Sequence, residues 1–131
     1  MHESQYPIVA ARRQGYDNLL WQVPALGVAA QSFPVSAAVG KDSSPALSAG
    51  LLLAASIVGA AIAWLFRKLR MNEVADSELL KTYEEAGAAE KFLVVHGRRM
   101  PGLGAYLVWQ ILLIASVALE GFGAIVMACR I

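Results

Sequence analysis

The chain has 131 residues, 57% of them hydrophobic and only 16% charged, against about 25% charged in an average soluble protein. Eleven Lys and Arg against ten Asp and Glu leave a formal net charge of +1, which argues against a nucleic-acid-binding domain and its basic stripe. A single cysteine, Cys129, excludes an internal disulfide framework and any all-Cys metal site. Its ordinary reading is a small apolar residue at a helix end, with an intermolecular disulfide as the alternative. The length allows one domain at most, and the charges fall in clumps that leave three long uncharged runs. The expected class is therefore all-α: a polytopic membrane protein with three transmembrane helices and a cytoplasmic helical loop.

Residues 1–18 are polar, with Arg12, Arg13 and Asp17 as the charges nearest the first apolar run. Arg13 and Asp17 stand four apart, which on a helix predicts a facing ion pair. The segment reads as an amphipathic lead-in at the inner headgroup level, with Tyr16 as an interface aromatic. The residues around Arg12–Arg13 do not fit a twin-arginine signal well. Residues 19–40 form an uncharged run interrupted by Gln22, Pro24, Gln31 and Pro34. A kinked membrane helix is the expectation, because prolines are tolerated in lipid when neighbours satisfy the freed carbonyls. A cleaved signal peptide ending at Ser36-Ala37-Ala38 and a re-entrant segment compete with it.

A polar turn, Gly40 to Ser44, makes the first two helices antiparallel neighbours, and Pro45 suits the first turn of the second. The run 45–66 carries no charge and is followed at once by Arg67, Lys68 and Arg70. A hydrocarbon core about 30 Å thick needs roughly 20 apolar residues at about 1.5 Å each, so this is the clearest span. It carries two stripes of small residues, Ala46, Gly50 and Ala54 on one, and Ala55, Gly59 and Ala63 on the other. Such stripes allow close helix packing in lipid and would suit a helix held between two partners.

Residues 67–102 are the extended polar region. Basic residues open and close it (Arg98 and Arg99 at the far end), while Glu73, Asp76, Glu78, Glu84, Glu85 and Glu90 fill its centre. Leu79, Leu80, Tyr83 and Ala86 follow helical spacing. The prediction is a cytoplasmic helix, either capped at Asp76 or Ser77 or continuous with the second span, weakening at Gly87. It serves as a solvated connector or as an acidic docking surface for a soluble partner. A breaker at Met100-Pro101-Gly102 leads into a third apolar run, 103–129, interrupted only by Gln110, Ser116 and Glu120.

All of the eleven basic residues but Lys41 and Arg130 fall on one side if the N-terminus and the 67–102 loop are cytoplasmic, which sets the orientation by the positive-inside rule. The C-terminus is then outside. Trp21, Trp64, Phe66, Tyr106 and Trp109 fall near the inner boundary, as an aromatic belt requires. Glu120 stands out, since an ionisable group in a span costs on the order of 2.5–3.5 kcal/mol on insertion scales. Counted from the outer ends, Glu120 and Gln31 both lie about 14 Å deep, with Ser56 at a comparable depth. They are expected either as a buried polar cluster or, if Glu120 sits shallower, as a carboxylate reaching outer water. No phosphate-binding loop, nucleophile elbow or metal-ligand spacing around His2 and His96 is present in the sequence, so neither an enzyme nor a cofactor is expected.

The stretch Arg12 to Phe33, RRQGYDNLLWQVPALGVAAQSF, resembles a segment of small bacterial multi-span membrane proteins of unknown function, with Arg-Arg, Tyr-Asp, Trp-Gln-x-Pro and Ala-Gln-x-Phe in the same order. It covers about a sixth of the chain and implies a first helix that is retained. The layout of paired helices followed by a cytoplasmic helix is similar to the two-helix SLATT effectors of bacterial nucleotide-dependent conflict systems, which implies pore formation or membrane disruption. The third span departs from that pattern. The resulting expectation is a self-associating protein of the bacterial inner membrane, with the lipid bilayer and further copies of itself as partners. A non-conducting accessory subunit and an ion- or proton-coupled component using Glu120 are the alternatives.

Overall fold

A computed structural model describes residues 3–40, 43–86 and 104–131 of the chain. The described residues form three long helices and no strand: α1 (Tyr6–Ala38), preceded by a 3-10 turn at Glu3–Gln5, α2 (Pro45–Glu85) and α3 (Ala105–Ala128). Two of them, α2 and α3, are long and apolar enough to cross a membrane. α1 is not, because Gln22, Pro24, Gln31 and Pro34 dilute its apolar run.

α1 outruns its predicted bounds, and α2 takes the continuous form of the two that the sequence allows. α1 begins at Tyr6 and takes in the polar lead-in, and it passes through Pro24 and Pro34 without interruption. α2 continues from its apolar half into the charged region as far as Glu85. Asp76 and Ser77 therefore lie mid-helix and cap nothing. The true N-cap of α2 is Ser44, whose hydroxyl accepts from the Leu47 N–H at 3.3 Å, with Pro45 at the first helical position. The turn between α1 and α2 is tied by serines. Ser43 and Ser48 donate their hydroxyls to the carbonyls of Ala37 and Ala38, at 2.7 and 2.6 Å. These are carbonyls that the end of a helix leaves without an intrahelical donor.

α2 is the central element. α1 and α3 both pack along it, antiparallel to it, and make little contact with each other. Its inward positions keep a seven-residue spacing in two series: Leu52, Gly59, Phe66, Glu73 and Leu80 in one, and Ser48, Ala55, Leu69 and Asp76 in the other, all buried, with the half-buried Ile62 at the intervening step between Ala55 and Leu69. This is the seam of a two-stranded packing continued for more than five turns. α1 answers with Leu20 and Gly27, and with Pro24, Gln31 and Ala38, again seven apart. Two apolar cores result. One joins Leu20, Ala63, Phe66, Leu69 and Leu113 near the charged end, and the other joins Ala38, Leu52 and Ala124 near the α1–α2 turn.

Candidate functional site

Between the two apolar cores lies a polar pair. Gln31 of α1 donates from Nε2 to Glu120 Oε2 of α3 at 3.2 Å, with both residues buried. This bond bridges the two helices that otherwise barely meet, and it does so across α2 at Gly59. A Cβ on Gly59 would overlap Gln31 Nε2 outright and approach Val117 Cγ2 to 2.7 Å. The missing side chain is what lets the glutamine reach across. Ser56, one turn away, faces the same layer but bonds elsewhere: its hydroxyl donates to the Val117 carbonyl at 3.2 Å. Gln31, Glu120 and Ser56 are thus brought to one level, with a direct bond only between the first two.

The two small-residue stripes of α2 have different fates. Ala55, Gly59 and Ala63 are buried against α1 and α3, whereas Ala46, Gly50 and Ala54 are exposed. A Cβ on Gly50 would meet nothing within 4 Å. Among the described residues, only the first stripe packs helices.

Below the apolar layers, α1 and α2 stay paired through charge. Arg12 grips Asp76 with both carboxylate oxygens engaged, at 2.7 Å from Nε and 2.5 Å from Nη2. Glu73 is held from two sides, by Arg13 at 3.1 Å and by Arg70 one turn before it. Tyr6 donates its hydroxyl to Glu84 at 2.7 Å. Glu84 is fully buried, and Glu73 and Asp76 are nearly so. The hydrogen bond to Glu84, partial burial and the carboxylate's charge push the Tyr6 phenol up to about 12. Arg13 therefore pairs with Glu73 rather than with Asp17, and three of the acids expected to face the cytoplasm turn inward instead. None of these partnerships was anticipated in the sequence. The signal was there in register: Glu73 and Asp76 continue the same seven-residue series as Phe66 and Leu69.

The aromatic belt divides as well. Trp21 and Trp64 are exposed, at 57% and 64%, and the Lys68 ammonium lies 6.0 Å from the Trp64 ring centroid. Phe66 is instead core, 1% exposed and stacked on Tyr106 with centroids 4.9 Å apart. Arg67 and Lys68 point outward, and Arg12 is also largely exposed beyond its ion pair. Arg98, Arg99, Gly87 and the 100–103 breaker lie outside the described residues.

The outer face of α1, directly opposite its seam with α2, is the least expected feature. Asn18, Gln22, Ala25, Ala29, Ser32 and Ser36 are all exposed. Their spacings of three and four place them within an arc of about 80° at 100° per residue. Leu26 and Phe33 flank this stripe, and the outward faces of α2 and α3 carry large apolar side chains such as Leu53, Ile57, Ile111 and Phe122. The described residues contain no group of His, Cys, Asp and Glu that could hold a metal ion. No protein family, curated protein or solved structure matches the chain.

Proposed function

We propose that the chain is an integral membrane protein of three spans that self-associates through the outer face of α1 and acts as a pore-type membrane component. The observation that carries this reading is the polar and small stripe Asn18-Gln22-Ala25-Ala29-Ser32-Ser36. Ser32 donates its hydroxyl to the Ala29 carbonyl of its own helix at 2.8 Å, but lipid offers the amides of Asn18 and Gln22 no hydrogen bonds, and polar residues within spans ordinarily face protein or a water-filled space. Copies of α1 around an axis would supply both, with Gln22, Ser32 and Ser36 toward water and Ala25 and Ala29 as the narrow apolar girdle at which pores gate by dewetting.

The three-span reading is supported by packing depth. α2 is long and apolar enough to span. Leu20 packs beside Phe66 at one end of its apolar half, and Ala38 beside Leu52 at the other. If residues 45–66 of α2 cross the bilayer, residues 20–38 of α1 lie at the same depth. The distribution of basic residues supports a cytoplasmic N-terminus and α1–α2 extension with the C-terminus outside, and the resemblance of residues 12–33 to small bacterial multi-span proteins supports a bacterial inner membrane.

An accessory subunit that docks a soluble partner is the second reading. It is favoured by the extension itself, a stiff helix pair reaching about 28 Å beyond Phe66 at 1.5 Å per residue. Its outward acids among the described residues are reduced to Glu78 and Glu85. Glu120, fixed by Gln31, would serve an ion- or proton-coupled role in the third. Membrane potential in cells expressing the chain, read with a voltage-sensitive dye, separates these. The pore reading predicts rapid depolarisation that the double substitution Gln22→Leu and Ser32→Leu abolishes. An unchanged potential with the protein in the membrane fraction contradicts it.

A further inference from the structure

We infer that the crevice where the three helices meet at the inner boundary binds a phospholipid headgroup that joins a phosphate to a primary ammonium. The crevice has a volume of about 190 Å³ and is lined by Asp17, Trp21, Phe66, Arg70, Tyr106 and Trp109. This is less than the roughly 300–1,000 Å³ of pockets for drug-sized ligands, so it suits a small headgroup whose acyl chains remain outside. The inference rests on the membrane placement argued above, which sets the crevice at headgroup level between Trp21 and Trp109.

Its two charged side chains, Arg70 and Asp17, line it without an ion pair between them and serve as two poles. Arg70 is held in place by Glu73 and by the Tyr106 ring, whose centroid lies 5.6 Å from the guanidinium carbon. With Arg13 on the other side of Glu73, two guanidinium groups surround one carboxylate. That group of three carries a net positive charge, and Arg70 keeps further N–H donors for a phosphate. Asp17 supplies the opposite pole. It lines the crevice with no hydrogen-bond or ion-pair partner among the described residues. A carboxylate accepts hydrogen bonds from a primary ammonium and not from a quaternary one, and the neighbouring rings of Trp21 and Trp109 add cation–π attraction. A zwitterion thus neutralises each pole separately, where an anionic headgroup would leave Asp17 opposed.

The test uses the full chain with Trp64→Phe, which leaves Trp21 and Trp109 as its tryptophans. It is reconstituted in vesicles that carry one brominated lipid, with bromines near the headgroup end of the chain. Flotation of the vesicles reads membrane insertion separately. Brominated phosphatidylethanolamine should quench at about threefold lower mole fraction than brominated phosphatidylcholine or phosphatidylglycerol, the scale of one partly exposed ion pair. Asp17→Asn should remove the preference, and Asp17 is exposed and holds no other group in place. Arg70→Gln should weaken quenching by phosphatidylethanolamine toward the phosphatidylcholine level. Soluble phosphoethanolamine should not compete at matched concentration. Equal quenching by all three headgroups in floating vesicles overturns the site while leaving the membrane reading intact. Full competition by soluble phosphoethanolamine overturns the lipid as its source. A chain that does not float overturns both readings.

Discussion

The α1–α2 pair keeps one register from end to end but is held together by two different chemistries. In the apolar half, Gly27 and Gly59 bring the helices close, and the polar contacts are few: Ser48 donates to the Ala38 carbonyl of α1, and Gln31 reaches past Gly59 to Glu120 of α3. In the charged half, the same seam positions are filled by Glu73 and Asp76, which meet Arg13, Arg70 and Arg12. On the proposed membrane placement, the contrast follows from solvent. Lipid gives no hydrophobic reward for bringing helices together, so close contact between small residues does the work there. Near water, guanidinium–carboxylate pairs at the edge of a seam can form and remain partly hydrated. A seam can thus pass from an apolar to a charged stretch by exchanging its side chains without changing its period.

The largest effect is expected on the apolar side. Gly59→Val would drive Gln31 and Val117 apart and separate α1 from α3, costing about 3 kcal/mol at the upper end of overpacking penalties. Thermal unfolding in detergent micelles measures it. Gly27→Val should cost less, since the Cβ there meets only the Ile62 side chain, at 2.8 Å from Cγ2, and that side chain can give way. On the charged side, Glu73→Ala leaves Arg13 and Arg70 facing each other. A fully buried pair broken in this way costs about 3–5 kcal/mol, but Arg13 and Arg70 are 31% and 41% exposed, so about 2 kcal/mol is expected, diminishing in high salt. Denaturation with and without added salt should find that dependence for Glu73→Ala and not for Gly59→Val.

Tyr6→Phe removes a hydrogen bond to a buried carboxylate and should cost about 1 kcal/mol, reduced by the partial exposure of Tyr6. The same contact has a defined pH window. Its phenol titrates at about 12 in the folded chain against an ordinary 10.0. The protonated phenol donates to Glu84, whereas a phenolate would be repelled by it. The stabilisation is therefore complete below pH 10 and lost as pH rises toward 12, which a stability curve across pH 9–12 would show and Tyr6→Phe would flatten. Smallest of all, Gly50→Ala should cause no loss of stability, because a Cβ there meets nothing.

Much of this architecture can be read from the residues. The all-helical class, the long apolar runs at 45–66 and 103–129 and the common level of Gln31, Ser56 and Glu120 follow from hydropathy and from counting turns. The inward packing of Ala55, Gly59 and Ala63 is separable from the Ala46, Gly50 and Ala54 stripe only through tertiary contacts, since the two look alike in sequence. The ion pairs of the extension are hidden for a different reason. Local rules pair Arg13 with Asp17 at four residues' distance, but the partner that wins, Glu73, is sixty residues away on another helix. The outer stripe of α1 was obscured because polar residues on two opposite faces, Gln31 inward and Gln22, Ser32 and Ser36 outward, average to an indifferent run.

The claim that copies meet through the outer face of α1 is tested most directly by disulfide crosslinking in membranes, with single cysteines in a Cys129→Ser background. The account predicts crosslinked dimers from Ala25→Cys, Ala29→Cys, Ser32→Cys and Ser36→Cys, with a minimum at the inward Gly27→Cys and little from Ile111→Cys on the outer face of α3. Crosslinking that is absent along α1, or as strong from Ile111→Cys as from Ser32→Cys, would contradict it.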